Sequence, residues 1–341
     1  MLYTTKSMKK EKQLSIIIPV YNVEKYIGRC LDSIYNQKVD EELFEVIVVN
    51  DGTPDNSVSI IEKYVDNHTN CTLVNQKNQG LSMARNNGFY KSVGNFVWFV
   101  DSDDWLIDKS IKTVLYYIEQ NQYLVFSSNL IYAFDNPGQN FSERCLDNDL
   151  VVGSSDYILN FCLGASQRFI ISRKLMLDNN LAFFPGILHE DGEFGPRLVC
   201  AAKQILVLKS PLYMYYQRGG TSIMANWSIR NTQNSLIVYQ HDLNLADKYK
   251  KTKFHSAVYY EAFRVSLFAF PLPHIYTNKE IHSLYIKYRG VIRLHAIKVL
   301  VTNIPFKKKI VAFIAAISPV WANKFKDFRM ELLRKKNQNK L

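Results

Sequence analysis

Residues 44 to 65 read FEVIVVNDGTPDNSVSIIEKYV. Phe44 to Asn50 is a short apolar run rich in valine and isoleucine, the pattern of a strand buried on both faces. The run stops at Asp51-Gly52, and the following Thr-Pro-Asp-Asn-Ser supplies a turn with helix-capping side chains. Apolar residues then resume at helical spacing in VSIIEKYV. A strand that passes through a polar turn into a helix is one β-α unit.

The same unit recurs on both sides. LSIIIPV at 14 to 20 reads as a buried strand, and after it Val23, Tyr26, Ile27, Cys30, Leu31 and Ile34 fall on one face of a helix. CTLVNQ at 71 to 76 precedes the helical LSMARNNGFYKSV, and NFVWFV at 95 to 100 closes the set. Strand and helix in alternation predict an α/β fold with a parallel sheet. Ligands of such sheets sit beyond the carboxyl ends of the strands. Pro19-Val20-Tyr21-Asn22, Asn50-Asp51-Gly52, Asn78-Gln79-Gly80 and Asp101-Ser102-Asp103-Asp104 therefore belong to one rim.

The bulk composition sets limits. The chain has 341 residues, 47% of them hydrophobic and 13% aromatic, which indicates a folded protein with a substantial core. Its five cysteines are scattered singly, so neither a disulfide framework nor a zinc site is expected, and a reducing cytosol suits them. The first residues, MLYTTKSMKKEKQ, are polar and lack the apolar centre of a signal peptide. The longest apolar stretch, IVAFIAAISPVW at 310 to 321, is shorter than the ~18 residues of a membrane span. Net charge is +11, yet residues 287 to 341 alone carry fourteen Lys or Arg against Asp327 and Glu331. The basic character belongs to the C-terminal end.

Residues 107 to 220 show fewer clear strands, and from 224 onward aromatic-rich helical patterns dominate. A boundary is expected near Gly219-Gly220, giving a catalytic region 1–220 and a mainly helical region 221–341.

Five groups carry chemistry. In the acidic cluster, Asp101 and Asp103 flank Ser102 and project to the same side of an extended chain, where they would address one metal-nucleotide complex. The alternative is a solvated turn with Asp104 capping a helix that begins at Trp105. Asp51 suits a nucleotide base or ribose, or else a simple Asp-Gly turn. Gly80 permits close backbone approach, and Arg85 would reach a diphosphate unless it is an ordinary surface arginine. In FFPGILHEDGEF, one carboxylate of Glu190 and Asp191 would act as general base, against the reading that both merely start a helix. Arg218, beside two glycines, suits a mobile anion-binding loop or a domain linker.

Together SIIIPVYNVEKYIGRCLDSIYNQ, EVIVVNDGTPDNS, NQGLSMARNNG, FVWFVDSDDWL and HEDGEF resemble, in order and spacing, the glycosyltransferases of family 2. The resemblance is dense over residues 14 to 110 and reaches about residue 222. It implies the GT-A fold: a Rossmann-like, mostly parallel central sheet flanked by helices, here followed by a helical C-terminal region. It also implies inverting sugar transfer from a nucleotide-diphosphate donor, with a UDP-sugar expected, to a hydroxyl of a polysaccharide or lipid-linked saccharide. Under it Pro19, Tyr21 and Asn22 line the nucleotide pocket, with Gly80 and Ser102 beside them, and Asp51 holds the base. Arg85 approaches the phosphates, Asp101 contacts ribose or metal, and Asp103 ligates Mn2+ or Mg2+. Asp191 is the base with Glu190 its rival, and Arg218 neutralises the departing diphosphate. The Q-x-x-R-W motif of processive members is missing, so single addition is expected.

Basic residues interleaved with Phe306, Ile310, Val311, Phe313, Ile314, Trp321, Phe325 and Phe328 suit an interfacial helix on an anionic membrane or equally an ordinary solvated tail, with nucleic acid the other target of a basic stretch. A cytoplasmic protein, or one peripheral at the inner face of the membrane, is the expectation, with no nucleic acid partner. Nucleotidyl transfer on a similar sheet, or an inactive sugar-nucleotide or membrane-binding module, are the competing functions.

Overall fold

The computed structural model describes residues 11–120, 122–218 and 226–338. The first three β-α units and the strand that closes them fold as read. Strands β1 (Leu14–Val20), β2 (Phe44–Asn50), β3 (Cys71–Asn75) and β4 (Phe96–Phe99) are joined by helices α1 (Ile27–Tyr35), α2 (Ser57–Asn67) and α3 (Leu81–Lys91). These strands pair in parallel in the order β3-β2-β1-β4, with Ile17 opposite Ile47 and Phe99.

All seven residues of β1 are buried because both faces of the sheet are covered. Ile16, Ile18, Val46, Val48, Phe96 and Trp98 pack on one side, with Ile27, Leu31 and Ile34 of α1. Ile17, Ile47, Val49, Val97 and Phe99 pack on the other, with Ala84 and Phe89 of α3. The period of two in a strand divides each apolar run between two cores.

Beyond β4 the sheet continues with mixed direction. Strands β5 (Trp105–Leu106), β6 (Val125–Ala133), β7 (Phe141–Ser142), β8 (Leu150–Gly153), β9 (Phe169–Ser172) and β10 (Gln204–Tyr216) alternate with α4 (Ser110–Glu119), α5 (Ser154–Asn160), α6 (Arg173–Asp178) and α7 (Glu190–Ala202). Among the described residues the sheet has ten strands, and β4 is followed by β9, β6, β10 and β5. The β4-β9, β9-β6 and β10-β5 pairs are antiparallel, and β6-β10 is parallel.

One sequence reading changes here. Trp105 begins a strand rather than a helix, so Asp104 caps nothing; the helix that follows starts at Ser110. Strand β10 ends at Tyr216, two residues before Arg218. The expected boundary at Gly219-Gly220 lies outside the described residues.

Helices α8 (Ile229–Lys248), α9 (His255–Phe268), α10 (Leu272–Thr277), α11 (Lys279–Leu300), α12 (Phe306–Ile317) and α13 (Pro319–Gln338) form the C-terminal region. Its inward residues, among them Val258, Phe263, Ile292 and Ala312, join the same apolar cluster as Ile17 and Phe99. Among the described residues no helix is long and apolar enough to cross a membrane. All five cysteines are free.

Candidate active site

The carboxyl ends of β1, β2 and β4 converge where the sequence placed the rim. Pro19 is buried in β1, whereas Tyr21 is 50% exposed and Asn22 stands just beyond with φ +56°. The backbone N–H of Asn22 donates to Thr53 Oγ1 at 2.8 Å, which ties the loop after β1 to the loop after β2. Gly52 sits at φ +67°, and a Cβ there would lie 2.9 Å from the Asn78 nitrogen. Glycine thus lets the second and third loops meet.

Asp51 fastens that junction. It is buried, and its Oδ1 accepts from Gln76 Nε2 and the Gln79 N–H, both at 2.7 Å. Its Oδ2 accepts from the Gly80 N–H at 2.8 Å, at the residue with φ +85° that opens α3. The carboxylate anchors the loop that leads to Arg85.

Arg85 is not a surface residue. It is 1% exposed, and its guanidinium is committed to three carboxylates. Nη2 donates to Asp101 Oδ1 at 2.7 Å, and Nη1 donates to Glu190 Oε1 at 2.6 Å and Asp191 Oδ1 at 3.0 Å. Burial alone would lower its pKa, but the fields of Asp191, Asp101 and Glu190 prevail and raise it, so the charge is permanent. One buried cation thereby joins the acidic turn after β4 to the start of α7, with Arg85 itself 105 positions from Glu190 in sequence.

The two halves of the hub differ in accessibility. Glu190 has a side chain 8% exposed and Asp191 one 17% exposed. Burial pushes the Glu190 carboxyl up to about 7, Asp191 adds to the rise, and Arg85 opposes it. Both acids occupy the first turn of α7, where the helix dipole favours negative charge. The preceding His189 is held at φ +64° and stacks on Trp227 at 5.1 Å; burial lowers its pKa to about 4, so it is neutral at pH 7.

The opening acidic turn is fully partnered. Asp101 Oδ2 accepts from Gln167 Nε2 at 3.0 Å, and burial raises the Asp101 pKa, with Arg85 opposing and Asp191 and Asp103 reinforcing. Ser102 is buried. Asp103 Oδ2 lies 2.7 Å from Arg218 Nε, a close charge contact in which the N–H is not aligned as a hydrogen bond. Asp104 is wholly buried, and its carboxylate accepts from the Tyr213 hydroxyl at 2.8 Å and the Tyr216 N–H at 2.7 Å. The Tyr213 oxygen also accepts the Asp101 N–H at 3.0 Å. Strand β10 is thus riveted to the acidic turn. Arg29 completes the edge, stacked 3.8 Å from the Trp105 ring with Nη2 donating to the Asp103 carbonyl at 2.8 Å.

Gln167 and Tyr213 were not singled out from the sequence. No motif marks them; only the three-dimensional return of β9 and β10 beside β4 brings them to Asp101.

Among the described residues no group of three or more His, Cys, Asp or Glu side chains forms a metal cage. The donor set still fits a hard divalent cation. Asp103 and Asp101 offer oxygen only, and Mg2+ or Mn2+ takes its remaining ligands from substrate phosphates.

A central sheet covered by helices on both faces, with carboxylates and arginines gathered at one rim of strand ends, is the architecture of the GT-A fold. The crystal structure of S. aureus TarS 1-349 in complex with UDP-GlcNAc shares this fold, with a TM-score of 0.66 at 21% identity over 94% of this chain and 92% of that one. So does the mannosyltransferase PcManGT from Pyrobaculum calidifontis in complex with GDP-Man and Mn2+, with a TM-score of 0.51 at 14% identity over 94% of this chain and 88% of that one. The glycosyl transferase family 2 profile matches residues 15–181. Glycosyltransferase GlyA of Streptococcus pneumoniae is 30% identical over 270 residues, which cover 75% of this chain and 38% of GlyA. The poly(ribitol-phosphate) beta-glucosyltransferase of Bacillus spizizenii is 32% identical over 209 residues, 60% of this chain and 32% of that protein. The chain spans about a third of the length of these two relatives. It belongs to glycosyltransferase family 2.

Proposed function

We propose that this chain is a metal-dependent inverting transferase that moves a hexose from a UDP-sugar to a hydroxyl of a cell-surface polysaccharide or lipid-linked saccharide. The observation that carries the reading is the hub at Arg85, which holds Asp101 of the acidic turn and the Glu190-Asp191 pair in one cluster. Donor and acceptor chemistry are thereby adjacent. The likeness to poly(ribitol-phosphate) beta-glucosyltransferase supports the acceptor class, and the UDP-GlcNAc complex of the TarS fold supports the nucleotide.

In this proposal residues 1–220 hold the chemistry, and the helical region 221–341 supports it. Pro19, Tyr21, Asn22, Gly80 and Ser102 line the nucleotide pocket, and Asp51 sets the pocket's loop and faces the base. Asp103 is the direct ligand of Mn2+ or Mg2+, with Asp101 behind it. The cation would offset the charge that grows on the diphosphate as the anomeric bond lengthens. Arg218 leaves Asp103 and moves onto that diphosphate. Asp191, the more accessible of the pair, takes the proton of the acceptor hydroxyl during in-line attack, which inverts the anomeric centre. Arg85 acts as a positioning residue, and Glu190 sets the charge balance around it. The basic end, 287–341, brings this site to a membrane-borne acceptor.

A thermal-shift screen of nucleotide sugars with and without Mn2+ tests the donor half, since ligand binding raises the melting midpoint by mass action. A UDP-sugar should stabilise the protein with Mn2+ and lose most of that effect in Asp103→Ala. Equal stabilisation of both proteins would remove Asp103 from the metal site.

A further inference from the structure

The helical end of the molecule carries an apolar surface that none of the described residues covers. On α11, Leu294, Ile297 and Val301 are 54%, 51% and 85% exposed, spaced i, i+3, i+7 just to its C-terminal side. They lie opposite the buried stripe Ile292, Ala296 and Val299. On α12, Phe306, Ile310, Phe313 and Ile317 are 79%, 38%, 59% and 51% exposed, spaced i, i+4, i+7, i+11, and face away from buried Ala312 and Ala315. The two helices form a hairpin, with Arg293 Nε donating to the Ala316 carbonyl at 2.9 Å. Trp321, 59% exposed at the start of α13, extends the same series. Val311, Ile314 and Phe325, expected on this surface, are instead partly buried.

We infer that the outward face of the α11–α12 hairpin, with Trp321, docks on an anionic lipid bilayer. Helical spacing places Lys287 and Lys298 along the α11 stripe and Lys307 and Lys309 on either side of the α12 stripe. Apolar side chains rimmed by lysines match a membrane interface, where the apolar groups enter the acyl boundary and the ammonium groups meet the headgroups. A tryptophan at the rim suits the same depth.

The charge pattern decides between occupants. A second copy would bring Lys287, Lys298, Lys307 and Lys309 against the same four lysines, with no acidic face to meet them. Nucleic acid would match the charge but would leave Leu294, Ile297, Val301, Ile310 and Ile317 without an apolar partner, since its phosphate backbone offers none. The inference rests on the transferase reading only for its purpose, which is to bring the rim of the sheet to a membrane-borne acceptor. The contact itself needs no sugar.

The test is flotation of the full chain with vesicles of phosphatidylcholine alone, or of phosphatidylcholine and phosphatidylglycerol in equal parts. Wild type should partition at least about tenfold better onto the anionic vesicles, and high salt should weaken the partition. Phe306→Ser with Phe313→Ser should lose that advantage at an unchanged melting midpoint, as should Lys307→Gln with Lys309→Gln. Equal partition onto neutral vesicles, or a serine variant that floats like wild type, overturns the proposal. So does failure to float together with Phe313-dependent self-association or duplex DNA binding. Because no donor is present, none of these outcomes bears on the transferase reading.

Discussion

A guanidinium that is 1% exposed needs its charge matched, and at Arg85 three carboxylates do so together. Three acids around one cation leave an excess of negative charge, and Glu190, the most buried of them, absorbs it with a pKa of about 7. When Glu190 is protonated, Arg85 is balanced by Asp101 and Asp191 alone, and the guanidinium holds the Asp191 carboxylate away from an incoming hydroxyl. Transfer should therefore rise with pH through about 7 as Glu190 ionises. Stability should move the other way. A carboxyl group raised in the folded state stabilises the fold fully below its unfolded pKa of about 4.3 and loses that contribution as pH climbs through the folded value. Glu190→Gln should flatten both trends, removing the acid limb near pH 7 from the rate profile and the fall in melting midpoint between pH 4 and 7. A rate profile that keeps its limb in this variant assigns the titration to another group.

At the scale of elements, the acidic turn depends on strands that return from far along the chain. Strand β10 reaches it through Tyr213, whose hydroxyl donates to Asp104 and accepts the Asp101 N–H. Tyr213→Phe leaves a buried carboxylate and an N–H short of one partner each, and should cost about 1–3 kcal/mol in unfolding free energy by denaturant titration. A loss near zero would mean that water replaces the hydroxyl. These ties explain what the sequence could and could not tell. The four parallel strands were legible because each is a short, mainly apolar run ended by a polar turn, and Asp101 and Asp103 stood out because they interrupt such a run. Strand β6 was not legible, because Ser127, Ser128 and Asn129 sit buried in its middle and break the apolar signal. Ser127 finds its partner inside the protein, its Oγ 2.6 Å from the Tyr157 hydroxyl. The helix expected at Trp105 failed for a related reason. Pairing with β10 draws Trp105 and Leu106 into the sheet, and local capping signals carry no information about that partner. Arg85 was found at the right place but with the wrong neighbours, since nothing local announces that α7 will fold against α3.

Over the whole molecule, the sheet and the helical region share one apolar core, so the catalytic rim and the basic hairpin are parts of one body. The account treats the rim as the place of sugar transfer, with the donor held through Asp103 and the acceptor activated by Asp191. Separating those two roles tests it most directly. Calorimetric titration of wild type and Asp191→Asn with a UDP-sugar and Mn2+, paired with product detection by mass spectrometry on a polyol-phosphate acceptor, measures both. The account predicts donor affinity within about threefold of wild type and a transfer rate at least about 100-fold lower in Asp191→Asn, since a general base contributes about 10² to 10⁴. Transfer at the wild-type rate in that variant would contradict it.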